Sequence, residues 1–193
     1  VMFLGFAFGS AVVLFLVASA VAGVVLWNVT KDLPDYEVLA KYEPPVMTRI
    51  HANDGSLIAE YARERRIFVP LNTVPKILIH AVLSAEDKNF YKHNGIDAQG
   101  VVRAIVNNLK TGSKQGASTI TQQVAKNLLL SSERTFDRKL REAILAVRIE
   151  QTYPKTKILE LYLNEIYFGI GSYGIAAAAL NYFDKELKEL TLE

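Results

Sequence analysis

Hydrophobic positions run unbroken from Val1 to Trp27 with no charged side chain among them. At about 1.5 Å of rise per residue, some 20 such residues cross a hydrocarbon layer of roughly 30 Å, so the run predicts one membrane-spanning helix. A buried core helix would be shorter and amphipathic. A cleavable signal peptide is the closer alternative, because Ala18-Ser19-Ala20 resembles a small-residue cleavage site. The apolar run continues past that site to Trp27, placed as an interfacial aromatic, which favours a retained anchor over residues 1–30.

Beyond the anchor the pattern breaks. Residues 31–47 are polar and carry prolines at 34, 44 and 45, which reads as a juxtamembrane stalk rather than a packed element. Thr48 to His51 and Leu57 to Tyr61 are β-prone runs flanking Asn53-Asp54-Gly55, a hairpin signal. Helical periods then take over. A helix opens after Pro75 and carries apolar residues at Ile77, Leu78, Ala81, Val82 and Ala85, with Asn94-Gly95 as its stop. A second covers Ala98 to Leu109. Thr111 to Ala117 forms a small, polar loop expected to be mobile. Thr119 with Gln122 makes a capping-box pattern for a helix to about Leu130. Further helices are expected over Phe136 to Thr152, Pro154 to Phe168 and Ile175 to Phe183. The fold class is mainly α with a small β-hairpin, and residues 48–193 form one domain.

Composition narrows the chemistry. Half of the 193 residues are hydrophobic and the formal net charge is +2, which fits neither a disordered chain nor a nucleic-acid-coating one, so no nucleic-acid partner is expected. The small total hides an asymmetry: Lys110 to Lys157 holds ten Lys or Arg against four Asp or Glu, a local +6 that leaves −4 elsewhere. Such a strip points to a local anion such as phosphate or a lipid headgroup. The absence of cysteine excludes disulfides, thiol nucleophiles and thiolate metal sites. His51, His80 and His93 lack metal-ligand spacing, so no metal-binding residues are assigned.

Glu86-Asp87 ends a helix beside Phe90, Tyr91 and His93, where a half-desolvated carboxylate would suit proton transfer; a solvated acidic pair is the competing reading. Glu142 has Arg138 and Lys139 one turn before it, which is also what a surface ion pair looks like. Arg134, Arg138 and Arg141 recur at spacings of four and three, and with Lys139 they suit a diphosphate; a solvated basic face is the alternative. The loop Lys114 to Ser118 leads into a helix N-terminus whose N–H groups favour an anion, with Lys126 two turns along. Lys110-Thr111-Gly112 matches one element of serine transpeptidases, but no Ser-x-x-Lys accompanies it, so the tripeptide is a coincidence.

Four strings resemble one family. Glu86-Asp87-Lys88-Asn89-Phe90-Tyr91-Lys92-His93-Asn94-Gly95 is similar to the E-D-x-x-F-x-x-H-x-G motif of family 51 peptidoglycan glycosyltransferases. Gly116-Ala117-Ser118-Thr119-Ile120-Thr121-Gln122-Gln123 resembles G-x-S-T-I-T-Q-Q, Arg138 to Glu142 resembles R-K-x-x-E, and Lys155 to Asn164 resembles K-x-x-I-L-E-x-Y-L-N. The stalk and hairpin are similar to those of class A penicillin-binding proteins of the 1A type. Ala117 and Asp184 stand where Gly is common in the family.

The resemblance implies a lysozyme-like helical domain on the extracytoplasmic face of a bacterial cytoplasmic membrane, single-pass, polymerising lipid II into glycan strands with release of undecaprenyl diphosphate. It implies Glu86 as the base for the acceptor hydroxyl and Glu142 as a second carboxylate. It places Ser118, Gln122, Gln123, Lys126, Arg134, Arg138 and Lys139 at the donor diphosphate. No obligate cofactor is implied, with Mg or Mn at the diphosphate as an assisting ion. Partners are lipid II, the growing strand, the bilayer and other cell-wall synthesis proteins. The remaining helices of the family's domain and any transpeptidase domain are expected outside residues 1–193. Two rival functions remain, a lysozyme-like lytic enzyme acting on finished peptidoglycan and a non-catalytic anchored scaffold.

Overall fold

In the computed structural model the described residues are 2–42, 48–61, 65–112, 116–131 and 135–191. Three sequence expectations fall partly outside them: the end of the stalk, residues 113–115 of the polar loop, and Arg134. The chain is mainly helical, as expected, with one apolar N-terminal helix and a small hairpin.

Helix α1 (Met2–Lys31) is continuous, and its stretch Phe8–Lys31 is long and apolar enough to cross a membrane. From Phe8 to Trp27 its side chains are exposed, and Val29, at the last turn, is buried against α5 (Phe136–Thr152). The polar segment that follows is not a free stalk over its described part. Leu33, Tyr36, Leu39 and Tyr42 recur every third residue, the period of a 3-10 turn, which forms at Glu37–Lys41. Leu39 is fully buried and the other three pack on the core. That spacing was present in the sequence, but the prolines and charges around it masked it.

Strands β1 (Thr48–His51) and β2 (Leu57–Tyr61) pair antiparallel as expected, with the turn held by Asp54 accepting from the Ser56 amide at 2.9 Å. A second sheet was not expected. Strand β3 (Arg65–Arg66) pairs parallel with β5 (Ser172–Tyr173), which pairs antiparallel with β4 (Tyr167–Gly169). The helix expected to reach Phe168 therefore stops at Glu165. Gly169, Ile170 and Gly171 all adopt positive φ, which no α-helix accommodates, so the chain turns back as a hairpin.

The core is built by α4 (Ile120–Leu129), α5 and α6 (Lys155–Glu165). Ile120, Val124, Leu145, Ile149, Ile158, Leu159 and Leu163 are essentially without solvent contact. Each large aliphatic side chain buried in this way stabilises the fold by about 1.5–3 kcal/mol before entropy is subtracted. Helix α7 (Ile175–Phe183) buries its alanine face and ends at Asp184 in the left-handed region, φ +53°, where a short polar residue replaces the usual glycine.

Candidate active site

Helix α2 (Lys76–Glu86) delivers Glu86 at its last residue, and the chain then turns sharply through Asp87. Asp87 is the structural hinge of the site. Its buried carboxylate accepts from His93 Nε2 and from the Ile120 amide, each at 3.0 Å, which ties the end of α2 to the start of α4. A second tie runs from the Thr119 hydroxyl to the Gly95 carbonyl at 2.6 Å. Gly95 has φ +96°, and a Cβ there would lie 2.7 Å from the Ala146 backbone, so the close approach to α5 requires glycine.

Between these ties lies a cavity of about 320 Å³ lined by Glu86, Asp87, Asp97, Arg103 and the strip Gly116 to Thr119. Glu86 sits exposed at its rim, with Oε2 accepting from Gln123 Nε2 at 2.9 Å. The half-desolvated carboxylate expected from the neighbouring aromatics is not found. Phe90 turns into the core and meets Lys155 Nζ 4.4 Å from its ring centroid instead. Tyr162 lies below. Burial, reinforced by the charges of Glu86 and Asp87, pushes its hydroxyl well above the usual tyrosine range, so it stays protonated.

Behind the Ser118 wall of the cavity α5 supplies two cations. Glu142 is buried and accepts from Arg138 Nη1 at 2.5 Å and from Lys139 Nζ at 2.6 Å. Lys139 also donates to Ser118 Oγ at 2.8 Å. The ammonium group thus bridges Glu142 to the cavity wall. Arg138 Nε is buried without a hydrogen-bond partner among the described residues. Arg141 leaves the series expected of it: Nε pairs with Asp137 at 2.7 Å and Nη1 donates to the Asp32 carbonyl at 3.0 Å.

The family model described as Transglycosylase matches residues 54–193. The chain belongs to the transglycosylase family. It is 52% identical over 184 residues to a protein named penicillin-binding protein 1A from Rickettsia felis, covering 93% of this chain and 23% of that one. It is likewise 52% identical over 161 residues to a penicillin-binding protein 1A from Neisseria lactamica, covering 83% and 20%. The chain thus spans about a quarter of the length of the curated relatives it matches.

In this transglycosylase domain the site residues fall into two bonded sets that each touch the cavity: Gln123 with Glu86 at its rim, and Arg138, Glu142 and Lys139 reaching it through Ser118. Gln122 is turned inward: its Oε1 accepts from the Thr119 amide at 3.0 Å and completes the capping box foreseen from sequence. Lys126 is exposed on α4, and Arg134 lies outside the described residues. One expectation about the anion is corrected. The amides of Ile120 and Gln122 are already occupied by Asp87 and by the Thr119 hydroxyl, so the α4 N-terminus is no open anion nest. Sequence reasoning left Asp87 and Arg103 unassigned. Asp87 had a signal, six residues before His93 and next to Glu86, but nothing local reveals its partner at 120.

Proposed function

We propose that this domain polymerises peptidoglycan strands from lipid II, as the glycosyltransferase part of a longer class A penicillin-binding protein. The observation that carries the reading is the pairing, around one cavity, of an exposed carboxylate at Glu86 with a cationic arm, Lys139 on Ser118. Glu86 takes the proton of the acceptor sugar hydroxyl as that oxygen attacks the anomeric carbon of the donor. The bond from that carbon to the diphosphate breaks, and its electron pair leaves on the diphosphate oxygen. Lys139 and Arg138 supply the countercharge, with Gln123 orienting Glu86; Arg134 and Lys126 extend the cationic side by their positions in the sequence, and Gln122 supports it through the cap. Substrate entering the rim excludes water from Glu86, which supplies the desolvation that the exposed carboxylate lacks.

An assisting Mg or Mn ion finds no ready donor set, because Glu142 is already held by two cations, and among the described residues no three His, Cys, Asp or Glu converge closely enough to hold a metal ion. No step is routed through such an ion. On this reading the domain works at the bacterial cytoplasmic membrane with its cleft on the extracytoplasmic side, where lipid-linked substrate and growing strand meet it; the length and apolar composition of α1 support an anchor over residues 1–30, and other cell-wall synthesis proteins are the partners this reading implies.

The test is incubation of the membrane-embedded protein with lipid II and separation of glycans by length. Wild type lengthens strands, and Glu86→Gln lowers turnover by about two to four orders of magnitude while donor binding persists. Wild-type turnover in Glu86→Gln refutes the general base. Release of fragments from finished peptidoglycan without lipid II use establishes the lytic reading instead.

A further inference from the structure

The basic residue that the diphosphate reading left over, Arg141, reaches away from the cavity towards the membrane anchor. Its guanidinium is the one described side chain of α5 that joins a backbone carbonyl at the exit of α1, Nη1 to the Asp32 oxygen at 3.0 Å. A cation at a helix C-terminus also meets the negative end of the helix dipole. Val29 in the last turn of α1 is buried against α5, and beyond it packing on this side is thin. A crevice of about 310 Å³ lined by Asp32, Pro34, Thr135, Asp137, Arg138 and Arg141 separates the anchor exit from the start of α5, so the two arginines share it and only Arg141 crosses to the Asp32 carbonyl. Further along, the exit segment is fastened twice more, by the Tyr153 hydroxyl shared between the Tyr36 and Glu37 carbonyls at 3.1 Å each, and by Tyr42 donating to Glu165 at 2.5 Å. Arg141 spans the gap nearest the bilayer. It lies one turn from Arg138 and directly precedes Glu142 on the same helix, so whatever fixes Arg141 to the anchor fixes the cationic wall of the cleft as well.

We propose that Arg141 is a positioning residue that locks the exit of the membrane anchor to α5 and so holds the cationic wall of the cleft at a set height and tilt above the lipid surface. This rests on the polymerase reading for its kinetic consequence, though not for the mechanical one. A lipid-linked diphosphate sits at a depth fixed by the bilayer, so a cleft whose height is fixed captures it without reorientation, and loss of the lock acts on capture rather than chemistry.

The test uses the full protein in phosphatidylethanolamine and phosphatidylglycerol vesicles. These 193 residues contain no cysteine, so Val24→Cys and Gln151→Cys, both at exposed positions, place one spin label on the anchor and one on α5. The distance distribution is narrow in the otherwise wild-type background and in Asp137→Asn, which keeps the Asp32 contact, and it broadens in Arg141→Ala. The KM for lipid II in vesicles rises about fivefold in Arg141→Ala, the factor carried by one ordinary hydrogen bond, with kcat within about twofold. Arg141→Lys, which keeps a donor, restores part of both. An unchanged distance distribution, or a fall in kcat at constant KM, overturns the proposal, as does an Asp137→Asn protein that behaves like Arg141→Ala. If wild type makes no glycan in these vesicles, the polymerase reading fails, and the label distances alone decide the lock.

Discussion

Replacing Glu142 by Gln removes one negative charge from a site where two cations converge. The side chain is 3% exposed and is held by Arg138, itself 15% exposed, and by Lys139, 46% exposed. The two losses are unequal. Lys139 keeps water and its bond to Ser118, so its share is that of a surface pair, about 0.3–0.5 kcal/mol. Arg138 is left nearly dry with Nε already unpartnered, and removal of one member of a buried pair costs about 3–5 kcal/mol, reduced here by the residual exposure. The net destabilisation should be about 2–3 kcal/mol. That is below the roughly 5–15 kcal/mol of an ordinary domain, so the variant folds, with its melting temperature lowered by about 5–10 °C. Inorganic pyrophosphate supplies the missing negative charge and should raise the melting temperature of the variant more than that of wild type, while turnover falls because Arg138 and Lys139 are no longer held. The assay is thermal unfolding with and without pyrophosphate. An unchanged melting temperature means that Glu142 is not the countercharge, and equal pyrophosphate shifts mean that these cations do not face the anion.

Asp97 caps helix α3 (Ala98–Thr111) by accepting from the Gly100 amide, which, with Asn89, holds its carboxyl below the usual carboxylate range. Its stabilisation is present above the unfolded value of about 3.9 and is lost as pH falls through the lower folded value; Asp97→Asn, an equal cap, should remove that acid limb from a melting series, whereas Asp97→Ala costs about 1 kcal/mol at neutral pH. Gly95→Ala drives a Cβ to 2.7 Å from the Ala146 backbone at positive φ and should destabilise by about 2–4 kcal/mol in denaturant titration; a loss under 1 kcal/mol means that the approach of the Gly95 loop to α5 is not tight. Asp184→Gly relieves a left-handed non-glycine residue and should raise stability by about 0.5–1 kcal/mol in the same titration, with no gain refuting the strain.

The sequence was legible where the cause of structure is local. The capping box at Thr119, the hairpin at Asp54 and the bounds of α5 and α7 all follow from signals within a few residues. The apolar anchor helix was legible for the same reason. The second sheet was not, because β3 and β5 pair across more than a hundred residues and are two residues long, too short for any period to show. The exit segment was misread because its apolar residues follow a three-residue period among prolines, and their burial depends on α5 and α6. At the site, the motifs located Glu86 and the pair at 138 and 139, while the role of Asp87 depended on a contact 33 residues away.

On the proposed reading that contact also decides how the site would attract its anion. An open α4 N-terminus would offer backbone N–H groups and a helix dipole, a fixed attraction confined to the first turn. Here Asp87 takes the Ile120 amide and places a carboxylate against that same turn, which offsets the dipole. Attraction therefore has to come from side chains, and the cations at hand are Arg103, which lines the cavity, and Lys139, nearly half exposed, which bonds the lining residue Ser118. A solvated ammonium can follow a leaving diphosphate and then let it go, which a rigid nest of amides cannot do. Because exposed charges are screened within about 8–10 Å at physiological ionic strength, donor capture by this domain should weaken with added salt. On the proposed reading, the ties at Asp87 and Gly95 serve the opposite end of the task, keeping Glu86 in place while the Lys139 side chain follows the leaving group.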